Sequence, residues 1–131
     1  MGNMIKVGMA DLKICKAPDA LTTLGLGSCI GACLYDPVVK IAGMVHYMLP
    51  DSTKIKSNQN IAKFGDTGIR ELIRLMEEAG ARKSRIVAKI AGGARMFAVS
   101  ASVNLPGLNV GENNIEAARL NLSENGIAII A

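Results

Sequence analysis

The chain has 131 residues, half of them apolar, a fifth charged and 3% aromatic. This composition predicts a single globular domain over residues 1–131 with an aliphatic core. The formal net charge of +4, with few aromatics for base stacking, argues against nucleic acid and suits an acidic protein partner. No apolar run approaches the roughly 18–20 residues that cross a bilayer, and the first residues lack a secretory pattern. We therefore expect a cytoplasmic protein without membrane insertion.

The first half of the chain predicts short strands that lead into a β-hairpin. Strand-like segments occur at residues 5–9, 11–16, 21–24, 29–35 and 40–48. The last two flank Asp36-Pro37-Val38-Val39, which is favourable type I turn chemistry. With Asp36–Val39 as the turn, Cys29 would face His46, and directly opposed side chains lie about 4.5–5.5 Å apart on one face of a sheet. The hairpin therefore predicts that the thiol and the imidazole are neighbours.

The second half predicts two helices that alternate with strands. Apolar spacing indicates a helix over residues 61–79, or a shorter one capped by Asp66, and Gly80 would end it. A strand over residues 85–91 would enter a turn at Gly92-Gly93, and a surface loop would follow at 96–108. Asn113 or Asn114 would cap a second helix that runs to about Glu124, before a strand at 127–131. This order predicts an α+β fold, a layered sandwich with flanking helices on a mixed, largely antiparallel sheet.

The cysteines differ in their local surroundings. Three is an odd number, and a cytoplasmic location argues against disulfides, so we expect free thiols. Cys15 and Cys33 lie in apolar strands, as small buried side chains commonly do. Cys29 follows Gly-Leu-Gly-Ser, where N–H groups released by a tight turn could lower the pKa of its thiol and hold an oxyanion. This makes Cys29 a candidate nucleophile, with the backbone N–H groups of Ser28 and Cys29 as candidate oxyanion donors.

His46 is the single histidine and the candidate base. The alternative is a core histidine bound to a backbone carbonyl, because its strand is apolar. A base also needs a group that orients its ring, and the nearby hydroxyls belong to Thr22, Thr23 and Ser28.

Neither a metal site nor a phosphate site is predicted. Cys29, Cys33 and His46 offer three ligands in a spacing that matches no common zinc pattern. The segment Gly-Leu-Gly-Ser lacks the Gly-Lys-Ser/Thr ending of a P-loop. The sequence therefore indicates no metal and no cofactor.

Five motifs together resemble the CheD family of bacterial chemoreceptor glutamine deamidases. The resemblance covers essentially the whole chain, and the motifs occur in the family order: T-L-G-L-G-S-C at 23–29, D-P at 36–37, H-x-M-L-P-D-S at 46–52, A-K-I-A-G-G-A-x-M-F at 88–97 and N-V-G-x-x-N at 109–114. The resemblance implies a layered fold related to bacterial toxin deamidases. It also implies a catalytic triad of Cys29, His46 and Thr23. Family members usually continue past the last strand with further strands, which we expect to be missing here.

The family's chemistry implies conversion of glutamines to glutamates on the cytoplasmic helices of methyl-accepting chemotaxis receptors. The reaction would pass through a cysteine thioester, and the same site could cleave a glutamate methyl ester. Family members also bind the CheC phosphatase and raise its activity. The alternative function is a non-catalytic module that regulates this phosphatase.

Overall fold

Seven strands, two α-helices and three short 3₁₀ helices occupy the residues that the structure describes, which are 2–54, 59–94 and 109–131 of a computed structural model. In chain order the strands and α-helices are β1 Met4–Lys6, β2 Asp11–Lys16, β3 Ala20–Thr22, β4 Ile30–Asp36, β5 Ile41–Tyr47, α1 Gly65–Glu78, β6 Val87–Gly92, α2 Val110–Glu124 and β7 Ala128–Ile129. The predicted loop at 96–108 lies outside these residues.

Five strands form the main sheet in the order β2-β5-β4-β6-β7. All neighbours are antiparallel except β6 and β7, which are parallel and are connected through α2. β1 and β3 form a separate two-stranded parallel sheet. The predicted α+β class with a mixed, largely antiparallel sheet and flanking helices is confirmed. No helix within the described ranges is long and apolar enough to cross a membrane.

The two faces of the main sheet have different partners. In β4, Ile30, Ala32 and Leu34 are almost fully buried and belong to the hydrophobic core with α1 and α2. Alternate residues of a strand point to opposite faces, so Gly31, Cys33 and Tyr35 lie on the other face. Gly31 is paired with His46 of β5, which places the histidine on the face away from the helices.

α1 lies close to β5 because glycines remove side chains where the two elements meet. A Cβ on Gly43 would come within 2.7 Å of Leu72, and one on Gly68 within 3.1 Å of Val45. The buried stripe of α1 then packs on the sheet through Ile69, Leu72, Ile73 and Met76. This contact also identifies the odd-numbered residues of β5 as the helix-facing set.

The predicted register of the hairpin is wrong by two residues. Asp36 belongs to β4 and pairs with Ile41, so the turn spans residues 37–40 and Gly31, rather than Cys29, faces His46. Asp36 stays in the strand because its buried carboxylate accepts hydrogen bonds from Arg82 N at 2.9 Å and Arg85 Nε at 3.0 Å. A slip of two residues preserves which side chains share a face, whereas a slip of one would exchange the faces.

Both predicted helix starts also need correction. α1 begins at Gly65, near the shorter alternative, but Asp66 does not cap it; its carboxylate accepts Ser52 N at 3.0 Å and Ser52 Oγ at 2.8 Å. α2 begins at Val110, and neither Asn113 nor Asn114 caps it. The predicted helix stop at Gly80 is confirmed by its φ of +117°.

Candidate active site

His46 and Thr23 meet on the sheet face away from the helices. The Thr23 Oγ1 atom lies 2.9 Å from Nδ1 of His46, whose side chain is almost fully buried. Thr23 follows β3, and it reaches the ring beside Gly31, where a Cβ would lie 3.6 Å from Thr23 Cγ2 and 3.3 Å from Leu26 Cδ2. The absent side chain at Gly31 leaves room for these two residues next to the imidazole.

The hydrogen bonds of Thr23 determine the tautomer of His46. Thr23 Oγ1 also lies 2.7 Å from the carbonyl oxygen of Val7, which can only accept a hydrogen bond. The single hydroxyl proton of Thr23 is therefore donated to Val7. Thr23 must then accept from His46, so the network assigns the ring proton to Nδ1 and leaves a lone pair on Nε2. This is the tautomer that a general base requires.

Cys29 lies just outside the sheet, at the point where a continuation of β4 would be diagonal to His46. It precedes β4 by one residue and lies two positions from Gly31, the residue opposite the histidine. Such diagonal positions are roughly 7–8 Å apart between backbones, within reach of longer side chains. His46 Nε2 is buried without a hydrogen-bond partner among the described residues, so the thiol–imidazole bond is not formed here. Cys33 is the other diagonal neighbour, on the side nearer the hairpin turn.

Backbone contacts fix the turn that carries Cys29. The Cys29 N–H donates to Leu26 O at 2.8 Å, and the Cys29 carbonyl accepts from Gly93 N at 2.9 Å. Gly92 has a φ of +99°, and a Cβ there would lie 2.1 Å from Cys29 O. The predicted Gly92-Gly93 turn is therefore confirmed, and it packs directly against the candidate nucleophile.

Sequence reasoning did not find Asn114 as part of this site. Its buried side-chain amide donates to Ser28 O and to Met48 O, both at 2.9 Å. By residue type Asn114 is a helix cap; the signal for a different role is its position on the same helix face as Ala118 and Leu122.

Burial favours the neutral form of both candidate catalytic groups. It raises the pKa of the Cys29 thiol, although a hydrogen bond from the Cys29 backbone lowers it in part. It lowers the pKa of the His46 imidazole. The backbone of the turn therefore lowers the thiol pKa as expected, but burial has the larger effect and the net shift is upward. This arrangement favours proton transfer from thiol to imidazole during the reaction over a standing thiolate–imidazolium pair.

The other two cysteines, Cys15 and Cys33, are free thiols, as expected, and burial raises the pKa of each thiol. In the parts of the chain with described coordinates, no three His, Cys, Asp or Glu side chains gather in a way that could hold a metal ion.

The fold and this site define a class: an α+β protein in which a threonine and a histidine are hydrogen-bonded on one face of a mixed sheet, with a cysteine in the turn that leads into the adjacent strand. The family model for CheD chemotactic sensory transduction matches residues 48–131. The chain belongs to the CheD family, which confirms the resemblance found in the sequence. The match begins after Thr23, Cys29 and His46, so these three residues lie outside it and are covered by the relatives that align along the whole chain.

Several curated proteins are similar to this chain over nearly its full length. The probable chemoreceptor glutamine deamidase CheD of Lachnoclostridium phytofermentans is 61% identical over all 131 residues, which cover 80% of that protein. The same-named protein of Caldanaerobacter subterraneus is 51% identical over 98% of this chain and 78% of its own. The chemoreceptor glutamine deamidase CheD of Halalkalibacterium halodurans is 43% identical, with 100% and 80% covered.

Proposed function

We propose that this protein is a chemoreceptor glutamine deamidase, a cysteine amidohydrolase that converts receptor glutamines to glutamates. Cys29 is the nucleophile, His46 the general base and Thr23 the residue that orients the imidazole. The names of the relatives support the class of reaction. The observation that carries the proposal is the hydrogen-bond chain from His46 Nδ1 through Thr23 to Val7 O, because it leaves Nε2 as a buried proton acceptor.

In the first half-reaction, His46 Nε2 takes the proton of the Cys29 thiol as sulfur attacks the side-chain carbonyl carbon of the glutamine. The C–S bond forms and the carbonyl oxygen becomes an oxyanion. His46 then returns the proton to the amide nitrogen, the C–N bond breaks, and ammonia leaves. A thioester between Cys29 and the substrate remains.

In the second half-reaction, neutral His46 Nε2 takes a proton from water as the water oxygen attacks the thioester. The C–S bond breaks, Cys29 recovers its proton, and the product is glutamate. A glutamate methyl ester would form the same thioester, with methanol as the leaving group. The proposed site therefore accommodates methylesterase activity as well.

Backbone N–H groups beside the nucleophile are the proposed oxyanion donors. Of the two candidates, Cys29 already donates to Leu26 O at 2.8 Å. It would have to share or release this bond to bind an oxyanion, so the proposal gives Ser28 the larger part.

The proposed substrates are the cytoplasmic helices of methyl-accepting chemotaxis receptors, which places the protein in the cytoplasm. A CheC-type phosphatase is a proposed second partner whose activity this protein would raise. The formal charge of +4 is compatible with acidic protein partners of this kind. A module that only regulates the phosphatase gives no reason for a buried imidazole with one fixed ring proton, so we favour the enzyme.

Mass spectrometry of a purified receptor cytoplasmic fragment tests the proposal directly. The fragment is incubated with the wild type, with Cys29→Ala or with Cys33→Ala, and its peptides are searched for the mass increase of an amide-to-acid change. We expect new glutamates with the wild type and with Cys33→Ala, and none with Cys29→Ala.

Cys33→Ala is the matched control because Cys33 is the other thiol diagonal to His46. Loss of activity in Cys33→Ala, with full activity in Cys29→Ala, would show that the nucleophile is Cys33 and not Cys29. A folded wild type that modifies no glutamine would contradict the deamidase itself.

A further inference from the structure

One asparagine connects the two backbone segments that carry the proposed catalytic groups. Asn114 lies in the second turn of α2 and is fully buried. Its Nδ2 atom is 2.9 Å from the carbonyl oxygen of Ser28, the residue before Cys29. The same atom is 2.9 Å from the carbonyl oxygen of Met48, two residues after His46. Both partners only accept hydrogen bonds, so the amide nitrogen must face them.

The bond to Ser28 restrains the direction of the Cys29 side chain. A peptide unit is planar, and its C=O and N–H point in opposite directions. Asn114 holds the C=O of the Ser28–Cys29 peptide, while Leu26 O holds its N–H at 2.8 Å. Both ends of this peptide plane are therefore fixed at the residue whose thiol must approach His46.

Three further contacts complete the restraint. The hydroxyl of Tyr47, which adjoins His46, donates to the backbone carbonyl of Asn114. The carbonyls on either side of Ser28 are held as well, Gly27 O by Ala94 N and Cys29 O by Gly93 N, both at 2.9 Å. Asn114 is the side chain in this group that touches both the nucleophile turn and the end of β5.

Packing alone does not explain an asparagine at this position. Asn114 Oδ1 is buried and lacks a hydrogen-bond partner in the described part of the chain, which is unfavourable. A leucine, whose side chain has the same branched shape, would avoid the cost of an unpaired polar atom in the apolar layer between α2 and the sheet. Asn121, also buried and on the same helix, bonds instead to the carbonyl of Ala117 in its own helix. It offers a comparison without any link to the site.

We propose that Asn114 is a positioning residue that holds Cys29 and His46 in the relative geometry needed for attack on the substrate amide. The inference rests on the proposed deamidase function for its catalytic meaning. The geometric restraint itself stands on the contacts of Asn114 and is measurable without substrate.

The test compares Asn114→Leu with Asn121→Leu, which removes a buried amide of the same helix that does not reach the site. Asn114→Ser replaces Asn114→Leu if the latter does not fold, because a serine is too short to reach both carbonyls. All measurements are made well below the thermal midpoint of every variant. The readouts are kcat and KM on a receptor cytoplasmic fragment and the pH midpoint of Cys29 alkylation by iodoacetamide, with Cys33 as an internal reference.

We expect the Asn114 variant to lose kcat by on the order of 10–100-fold with KM nearly unchanged, since a displacement near 1 Å is enough for such a loss. Its Cys29 alkylation midpoint should fall toward the ordinary thiol value of about 8.5, because a released turn exposes the thiol to water. Asn121→Leu should change neither readout, even where it costs as much thermal stability.

A native Asn114 variant whose kcat stays within about threefold of the wild type would overturn the proposal. If the wild type deamidates nothing, the proposed function fails, and the alkylation midpoint alone then decides whether Asn114 restrains the turn that carries Cys29. A midpoint that moves in the Asn114 variant and not in Asn121→Leu supports the restraint, and an unmoved midpoint refutes it.

Discussion

At the scale of single residues, Thr23 sets the chemistry of His46. The hydroxyl accepts from the imidazole because its own proton goes to Val7 O at 2.7 Å. Asp or Asn commonly occupies the third position of a catalytic triad, whereas in the proposed triad a neutral hydroxyl, held by a backbone carbonyl, takes that position. The arrangement keeps the ring neutral in a buried setting, and burial lowers the pKa of the imidazole further.

Thr23→Val tests this arrangement, since it keeps the side-chain shape and removes the hydroxyl. We expect kcat for deamidation to fall by on the order of 10–100-fold, because the ring loses the partner that fixes its Nδ1 proton. Thr23→Ser is the matched control and should retain most of the activity. The measurement is the initial rate of glutamate formation in a receptor fragment. Equal rates for the valine and serine variants would show that the hydroxyl at position 23 plays no part in catalysis.

At the scale of elements, the glycine turn at the end of β6 supports the turn that carries Cys29, the proposed nucleophile. Gly92 and Gly93 have φ values of +99° and +75°, a region that side chains other than glycine rarely adopt. The close approach of Gly92 to Cys29 O makes this turn a backbone contact rather than a simple strand end.

Gly92→Ala should destabilise the fold by roughly 3 kcal/mol or more, because it combines left-handed backbone strain with a steric clash. Gly126→Ala is the matched control: Gly126 has a φ of +71° but no neighbour within 4 Å of an added Cβ. Only the backbone cost of about 1–2 kcal/mol is expected there. Urea unfolding of both variants measures the difference. Equal losses would show that the contact with Cys29 carries no steric constraint.

At the scale of the whole molecule, a buried ion pair links the hairpin to the segment between α1 and β6. Asp36 is fully buried, and its Oδ2 lies 2.9 Å from Nη2 of Arg85. The Arg85 guanidinium holds the pKa of the Asp36 carboxyl well below its usual range, against the opposing effect of burial, and backbone N–H groups add to the lowering. Because the folded-state pKa is lowered, the ionised carboxylate stabilises the fold above the unfolded value of about 3.9.

Asp36→Asn should lower Tm at pH 7 by on the order of 10 °C, because it leaves Arg85 without its charge partner. The stabilisation from Asp36 is lost as pH falls through its folded-state pKa, so the Tm difference from the wild type should shrink below about pH 4. Glu78→Gln is the control. Because the Arg74–Glu78 pair is exposed, its loss should lower Tm by about 2 °C or less. Differential scanning calorimetry at several pH values measures both. A pH-independent difference would refute the electrostatic account.

Much of the fold could be predicted from local pattern. β2 agrees with its predicted range, the hairpin strands are correct within one residue at each end, and Gly80 ends α1 as expected. The register failed because the hairpin turn was inferred from Asp36-Pro37 chemistry alone. Arg85, far along the chain, keeps Asp36 in the strand, and no local signal reveals that contact.

The start of α2 shows the same limit. Asn113 and Asn114 are good capping residues by type, yet the helix begins before them, and Asn114 is buried against Ser28 and Met48. The partners Asn114 and Ser28 are 86 positions apart in the chain. Capping preference is a local property, and it was overridden by a tertiary contact.

The sequence by itself determined the residue types of the candidate site, the alternation of each strand and the glycine turns, because these depend on side-chain chemistry and local backbone freedom. It also carried the family resemblance. Only the tertiary structure decided the strand register, the bond from Thr23 to His46, the tautomer that follows from it and the contact of Asn114 with both site segments. Each of these joins residues that are distant in the chain, and their geometry exists only after the sheet and the helices have packed together.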